Sequence, residues 1–402
     1  MKPVIIIPAF ARPLALKRLL NSINNADYPS DDIQVIISLD GGALESVRSV
    51  AHGFSFHHGT VEVQEHEKNL GLHKHIIKCG GMSQLYGSVI ILEDDLYVDR
   101  YFYIYTMNAL SFYQNEQTLC GISLYSYAYN PVAKLAFEPM YNGYSGFFMQ
   151  VPSSWGQAWT EMQWSRFKEW YDKAPSDLFE QRTDLPGLLY HWPESSWKKW
   201  FYAYMIEYRL YVLYPYLSYT TNFSDPGGVH ARDGTNQYQV VLGSQIRPTD
   251  HLSFCSFQGT AVLYDAFFES EARELYDDIG YSPDKIEIDF HGTKPLSLLR
   301  NKEFVLTSKK CENPLAIFRL GMRPIEKTVL FPSTEISNDT LRYRDYIYLS
   351  ESKNIVSEKR PFFEQVHYHS YYQTENKYFL RRYILNYFTN LMRADRKNRL
   401  SK

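Results

Sequence analysis

The sequence predicts an α/β fold, a mostly parallel, doubly wound sheet with helices on both faces and an α-rich C-terminal extension. Three observations lead to this prediction. Short apolar runs bounded by polar residues recur through the first hundred residues, and segments with apolar residues at helical spacing separate them. Polar or acidic residues follow the runs directly. Strands that alternate with helices in this way are typical of a parallel sheet covered on both faces.

The first predicted elements are a strand over Val4–Ile7 and a helix that begins at Pro13. Pro8 is expected to end the strand because proline lacks the backbone donor that a sheet uses. Proline suits the first position of a helix, where its missing N–H would have no partner in any case. The apolar side chains expected to form the buried face of this helix are Leu14, Leu16, Leu19, Leu20 and Ile23.

Three further strands complete the predicted N-terminal sheet, over Gln34–Leu39, Thr60–Gln64 and Val89–Leu92. In the extension, Phe254–Val262 is predicted as a strand and Glu269–Leu275 as a helix. Ligands of doubly wound sheets bind outside the carboxyl ends of the strands. Functional side chains are therefore expected directly after the N-terminal strands.

The strand Val89–Leu92 leads into three consecutive acids, Glu93, Asp94 and Asp95. Adjacent carboxylates raise one another's pKa, and burying one unpaired is costly, so the acids must lie where the strand emerges. A hard divalent cation relieves the repulsion, and Mg²⁺ is usually held by one or two carboxylates plus substrate phosphates. The run therefore predicts a metal–diphosphate site, with a solvent-facing acidic strand end as the alternative.

Composition sets further bounds on function. A net charge of −3 gives no reason to expect nucleic acid as a partner. The four cysteines are far apart and form no CxxC pair, which favours a reducing compartment over disulfides or structural zinc. The sequence has neither a signal-peptide core at its start nor a run of about 18 apolar residues. We expect a cytoplasmic protein.

An ordered series of motifs covers roughly residues 3–235. Its members are Ile6–Pro13, Ser38–Gly41, Lys68–Leu72, Leu92–Leu96, Gly146–Phe148, Ser154–Trp159, Pro215–Phe223 and Gly227–His230. In this order they resemble the nucleotide-sugar-dependent glycosyltransferases of the GT-A fold, a Rossmann-like architecture. The chain looks like the bacterial polysaccharide-type transferases in particular, and it is similar to the N-acetylglucosaminyltransferase I group.

The resemblance implies Mn²⁺ or Mg²⁺ and a nucleotide-diphosphate sugar as donor, with a UDP-sugar favoured. Asp95 would be the direct metal ligand, and Glu93 and Asp94 would contact the ribose or sugar of the donor or orient Asp95. His230, in a turn-rich loop, would lie near the diphosphate or the metal. A solvent-exposed loop histidine is the alternative for His230.

Four more residues match donor-binding positions of the family. Arg12 would lie near the nucleotide, and Asp40 would contact the base or ribose. Trp155 and Trp159 would border the donor and acceptor sites, where an indole face can stack on a sugar. Each has a structural alternative: a helix-entry arginine, a turn-forming aspartate before two glycines, and core packing for either tryptophan.

An inverting transferase also needs a carboxylate that deprotonates the acceptor hydroxyl. The position expected to be Asp, directly before Trp197, is Ser196, which departs from the family pattern. Glu194 is the nearest carboxylate and the first candidate for the base, and Asp184 is the second. Glu194 follows Pro193, so its alternative is an acid at a helix N-terminus.

The predicted domains are a GT-A catalytic domain over residues 1–250, a family-specific extension over 251–374 and a basic amphipathic tail helix over 375–402. The tail carries eight Lys or Arg against two acids, a net charge of +6. Its aromatic stripe at i, i+4 spacing suits a helix lying in an anionic membrane interface, and packing on the protein is the alternative.

The expected function is inverting, metal-dependent transfer of a hexosyl or N-acetylhexosaminyl group to a hydroxyl of a cell-surface glycan or lipid-linked glycan, without a nucleic-acid partner. The enzyme would be cytoplasmic, with a peripheral position at the inner face of the membrane if the tail binds there. The alternatives are a non-catalytic glycan-binding protein and a sugar-phosphate nucleotidyltransferase. Against the latter, Ile7–Phe10 lacks the glycines of a phosphate-binding segment.

Overall fold

The computed structural model describes residues 1–225, 238–243, 252–257, 260–319, 322–331 and 346–356. In chain order its strands and helices are β1 (Val4–Ala9), α1 (Pro13–Asn24), β2 (Ile33–Leu39), α2 (Glu45–His52), β3 (Gly59–Glu65), α3 (Gly71–Gly81), α4 (Ser83–Tyr86), β4 (Ser88–Ile91), β5 (Leu96–Val98), α5 (Phe102–Phe112), β6 (Leu119–Ser123), β7 (Tyr129–Asn130), β8 (Leu135–Ala136), β9 (Gly146–Met149), β10 (Gln157–Thr160), α6 (Glu161–Lys173), α7 (Leu178–Gln181), α8 (Trp197–Glu207), β11 (Tyr211–Pro215), β12 (Thr220–Asn222), β13 (Leu263–Tyr264), α9 (Arg273–Ile279), β14 (Ile286–Asp289), α10 (Leu296–Leu299), β15 (Phe304–Thr307), β16 (Ala316–Arg319), α11 (Lys327–Leu330) and β17 (Tyr346–Glu351). Short 3₁₀ helices cover Gly187–His191 and Ser352–Asn354. None of the helices in these ranges has the length and apolar character that crossing a bilayer requires.

The central sheet has nine strands in the order β13-β9-β11-β6-β10-β4-β1-β2-β3. Five of its eight neighbouring pairs are parallel, and the antiparallel pairs are those of β10 with β4 and β6 and of β9 with β11. Side chains alternate between two cores: Ile6 of β1 lies in one, and Ile5 and Ile7 lie in the other. The sheet is thus covered on both faces, and the predicted α/β fold is confirmed.

The first strand and helix differ from the prediction at two residues. β1 runs through Pro8 to Ala9, because pairing with β4 stops at Ile6 and the donor that proline lacks is not needed on that side. In α1, Leu16, Leu19, Leu20 and Ile23 are buried as expected. Leu14 is 80% exposed, so it does not belong to the buried face.

The described part of the extension contains a second sheet of four strands, in the order β14-β15-β17-β16, and α-helices of four to seven residues. The α-rich character of the extension as a whole stays a prediction. The predicted strand over Phe254–Val262 is wrong, since its described residues form none, and the edge strand β13 begins at Leu263. The helix α9 begins at Arg273, four residues later than predicted. The division at residue 250 stays a prediction, as does the tail over 375–402, which lies outside the described residues.

Buried polar side chains join the extension to the central sheet. The Glu269 carboxylate accepts hydrogen bonds from the backbone N–H groups of Phe290 and His291, at 2.9 and 2.8 Å. Lys294 forms an ion pair with Asp265 at 2.5 Å. Asp265 directly follows β13 and Glu269 lies five residues beyond it, while their partners follow the end of β14. The network therefore fixes the second sheet against the edge of the first.

Glu326, in the same region, makes the free energy of unfolding depend on pH. Tyr264 donates a hydrogen bond of 2.8 Å to its Oε1, whereas its buried Oε2 has no partner within the described residues. Burial raises the pKa of Glu326 to about 7. The folded state therefore binds more protons than the unfolded chain between about pH 4.5 and 7, and stability falls as pH rises through this window.

We expect Glu326→Gln to remove this pH dependence, because the amide keeps an acceptor for Tyr264 and never ionises. At pH 8 the variant should exceed the wild type in free energy of unfolding by about 3 kcal/mol, and at pH 4.5 the two should be nearly equal. Urea unfolding at pH 4.5, 6, 7 and 8 measures the difference. A difference that does not grow with pH would contradict the assignment.

Candidate active site

The acid run occupies the turn between β4 and β5. β4 pairs in parallel with β1, with Ile91 opposite Ile6, so the carboxyl ends of both strands lie at the same edge of the sheet. Beyond the paired residues, Leu92 N–H still donates to Ile6 C=O at 3.0 Å, and the chain then turns so that Leu96 N–H donates to Glu93 C=O at 3.2 Å. Because β4 is fully buried, the polar turn begins where the strand leaves the core.

Arg12, which directly precedes α1, forms hydrogen bonds with two of the three acids. Its Nη1 donates to Asp95 Oδ2 at 2.8 Å, and its Nη2 donates to Asp94 Oδ1. The other oxygen of the second aspartate, Asp95 Oδ1, is buried and has no hydrogen-bond partner within the described part of the chain. An unpaired buried carboxylate oxygen is costly and rare, which makes this atom a candidate for contact with a ligand.

The turn holds more negative charge than Arg12 neutralises. Burial raises the pKa of Asp94 to about 6, although the attraction of Arg12 opposes the shift. Burial and the neighbouring Asp95 carboxylate raise the pKa of Glu93. Both shifts have the direction expected for crowded, buried carboxylates.

The donor set fits a hard divalent cation. Asp95 Oδ1 supplies a carboxylate oxygen, the ligand type that Mg²⁺ and Mn²⁺ prefer. Among the described residues no group of three or more His, Cys, Asp or Glu is arranged to hold a metal ion. The remaining ligands would then be water and phosphate oxygens, as is usual for Mg²⁺. His230, the second predicted ligand, lies outside the described residues.

Arg18 and Asp225 form part of this site and were not predicted. Arg18 Nη1 donates to Asp225 Oδ1 at 3.1 Å, and the guanidinium carbon lies 3.8 Å from the centre of the Phe223 ring. Phe223 N–H in turn donates to Asp95 C=O at 3.1 Å, which fastens the end of β12 to the acid turn. The pair is 207 residues apart in the chain, and no local pattern indicates it.

Asp40 lies directly after β2, at the predicted edge of the sheet, and is buried. Its Oδ1 accepts from the N–H groups of Gly41 and Leu70, at 2.9 and 2.7 Å, and its Oδ2 accepts from Gly71 N–H at 3.0 Å. The carboxylate thus caps the first residues of α3 from another loop. Contact with a base or ribose stays a prediction beside this observed structural role.

The two tryptophans lie in different environments. Trp159, in β10, is only 2% exposed and packs against Trp164 and Trp197. Its ring packs between the sheet and the helices α6 and α8, as in the core-packing alternative, and its role beside the donor and acceptor sites stays a prediction. Trp155 is partly exposed in the preceding turn, with the ring of Tyr238 centred 4.6 Å away. Of the two, it alone is partly exposed.

Neither predicted base is brought to the acid turn by a contact within the described residues. Glu194 is 61% exposed at its side chain and pairs with Lys199. It precedes α8 by three residues, and the first turn of that helix contains no acid. Asp184 pairs with Arg182 at 2.5 Å, and hydrogen bonding to Arg182 outweighs the effect of burial and lowers the pKa of Asp184. A low pKa is unfavourable for a general base, which weighs against Asp184. Both assignments stay predictions.

No family model and no curated protein matches the chain. Solved structures that align with part of it include a mannosyltransferase from Pyrobaculum calidifontis in complex with GDP-Man and Mn²⁺, at 13% identity over 41% of this chain and 46% of that chain, with a TM-score of 0.31. S. aureus TarS 1-349 aligns at 14% identity over 55% of this chain and 60% of that chain, with a TM-score of 0.36. Mouse xyloside xylosyltransferase 1 in its apo form aligns at 11% identity over 53% and 84%, with a TM-score of 0.34. The alignment spans less than two thirds of either of the first two chains, and similarity to the N-acetylglucosaminyltransferase I group stays a prediction.

Proposed function

We propose that this protein is a metal-dependent glycosyltransferase of the GT-A type that moves a sugar from a nucleotide-diphosphate sugar to an acceptor hydroxyl. The observation that carries the proposal is the buried, unpartnered Asp95 Oδ1 at the carboxyl edge of a mostly parallel sheet. This edge is where doubly wound sheets bind ligands, and a carboxylate oxygen there suits a cation that also binds phosphates.

In the proposed site the chain's own residues bind and orient the donor. Asp95 holds the cation, and Arg12 keeps the carboxylates of Asp94 and Asp95 in a fixed orientation through its two hydrogen bonds. Glu93 and Asp94 would contact the ribose or sugar of the donor or orient Asp95. The Mg²⁺ or Mn²⁺ that Asp95 would hold would supply positive charge for the departing diphosphate. Arg18 holds Asp225 and the end of β12 next to the acid turn.

We propose inversion at the anomeric carbon and a cell-surface glycan or lipid-linked glycan as acceptor. Inversion requires a carboxylate beside the acceptor hydroxyl, and Glu194 and Asp184 remain the candidates for it. Association of the tail over 375–402 with an anionic membrane is part of the same proposal, because a lipid-linked acceptor lies at such a surface.

Products distinguish the three candidate functions. The purified chain is incubated with UDP-, GDP- and dTDP-sugars, with Mn²⁺ or with EDTA, and the products are identified by mass spectrometry. Release of the nucleoside diphosphate with Mn²⁺ but not with EDTA supports a glycosyltransferase. Pyrophosphate formation from a sugar phosphate and a nucleoside triphosphate would indicate a nucleotidyltransferase. Binding of glycans without turnover of any donor would indicate a glycan-binding protein.

A further inference from the structure

Lys198, in the first turn of α8, places its ammonium group among three aromatic rings. Its Nζ lies 5.1 Å from the ring centre of Trp155, 5.7 Å from that of Trp192 and 5.8 Å from that of Tyr127. It donates one hydrogen bond, of 3.1 Å, to Tyr127 Oη. An ammonium group has three donors, so two N–H groups have no partner within the described ranges.

The neighbouring Lys199 shows how a buried lysine is normally satisfied in this fold. Its Nζ forms an ion pair with Glu194 and donates to Trp192 C=O at 3.2 Å, while the ring of Phe179 lies 4.0 Å away. Lys198 forms no such ion pair with a described residue. The three aromatic rings stabilise this partly buried cation in part, but no carboxylate pairs with it within the described residues.

The location of Lys198 connects it with the acid turn. Glu93 is the described carboxylate that acts electrostatically on its ammonium group, and it does so without forming an ion pair. Trp155, Trp192 and Lys198 are all partly exposed. The ammonium group thus lies near enough to Glu93 for the two charges to interact, beside two partly exposed indole rings.

We propose that Lys198, Trp155 and Trp192 form a subsite for an anionic oxygen group, phosphate or carboxylate, carried by a sugar-containing substrate. The inference rests on the proposed function and names a substrate class for its site. An indole face stacks on the C–H surface of a sugar, and the two N–H groups of the ammonium bind the anion. Burial lowers the pKa of Lys198 to about 8, and an anionic ligand would stabilise its charged form, which agrees with this role.

The anion has two possible sources, the diphosphate of the donor or an acidic group on the acceptor. Titrations of the full chain distinguish them. UDP and GDP, titrated in Mn²⁺ by calorimetry, test the donor. Methyl glucuronide, glucose 6-phosphate and neutral methyl glucoside, measured by saturation-transfer NMR, test the acceptor. The variants are Lys198→Met and Lys198→Arg. Lys173→Met is the matched control, because Lys173 lies on the surface of α6 and is 72% exposed at its side chain.

We expect Lys198→Met to weaken binding of an anionic probe at least about 10-fold, with partial retention in Lys198→Arg and no change in Lys173→Met. A loss confined to UDP or GDP assigns the anion to the donor, and a loss confined to the acidic sugars, with methyl glucoside unaffected, assigns it to the acceptor. Wild-type affinity of Lys198→Met for all the anionic probes would overturn the proposal.

The melting temperature of each variant shows whether it is folded, and Lys198→Arg serves as the test if Lys198→Met does not fold. Failure of this inference is separable from failure of the proposed function. If Asp95→Asn abolishes donor turnover while both Lys198 variants bind every probe as the wild type does, the function stands and the anion subsite is wrong. If the Lys198 variants lose anion binding while Asp95→Asn stays active, the subsite stands and the metal assignment is wrong.

Discussion

Asp95→Asn is expected to reduce metal-dependent turnover of the nucleotide sugar by about 100- to 1,000-fold, or about 3–4 kcal/mol in activation free energy. The amide keeps the shape of the side chain but removes the negative charge that binds the cation through Oδ1. The free energy of unfolding should change by less than about 1 kcal/mol, because a lost ion pair with Arg12 is offset by relief of repulsion among the acids. Initial rates of nucleoside diphosphate release and urea unfolding measure the two quantities.

Asp172→Asn is the control for this variant, since Asp172 lies on the surface of α6 and pairs only with Lys168 within the described residues. Its turnover should equal that of the wild type. Wild-type turnover in Asp95→Asn would contradict the metal assignment. Loss of turnover together with a large loss of stability would instead give Asp95 a structural role.

Asp40→Asn is expected to lower the free energy of unfolding by about 2–4 kcal/mol. Three backbone N–H groups share the two oxygens of this buried carboxylate, and asparagine offers a single oxygen. The NH₂ group of the asparagine would take the place of the other oxygen. It would then face another donor, which is either Gly71 N–H or the N–H groups of Gly41 and Leu70. The start of α3 would then lose its attachment to the end of β2. Urea unfolding measures the effect.

Asp31→Asn provides the control, because the Asp31 side chain is 83% exposed. It should unfold at the wild-type urea concentration. If Asp40→Asn kept wild-type stability but bound nucleotide poorly, Asp40 would contact the donor rather than cap α3.

The sequence was sufficient to predict the N-terminal strands and the edge of the sheet at which the acids emerge. β2, β3 and β4 begin and end within one residue of the predicted ranges. β2 and β4 are buried, largely apolar runs, whereas β3, at the edge of the sheet, has no buried residue and mixes partly buried with exposed positions. The acids therefore had to emerge at the edge of the sheet. Pro8 was misjudged because tolerance of proline depends on which neighbouring strand pairs at that residue, and this is a property of the assembled sheet.

Side-chain roles in the site were predicted less well, and the reason is distance along the chain. Trp155 and Trp159 are four residues apart in the chain, yet only tertiary packing determines that Trp159 enters the core. The contacts of Arg18 with Asp225, and of Lys198 with the rings of Tyr127 and Trp155, join segments that no local pattern connects. The short elements of the extension lack the long periodic segments from which helices and strands are recognised.

The most direct test of the acid turn as a donor site is a thermal-shift panel of the wild-type chain. UDP-, GDP-, CMP- and dTDP-sugars are each added with and without Mn²⁺, and a ligand that binds only the folded state raises the melting temperature. We predict a rise with one nucleotide class that requires Mn²⁺ and is absent in Asp95→Asn. A rise of equal size without Mn²⁺, or no rise with any donor, would contradict a metal-dependent nucleotide-sugar site at Asp95.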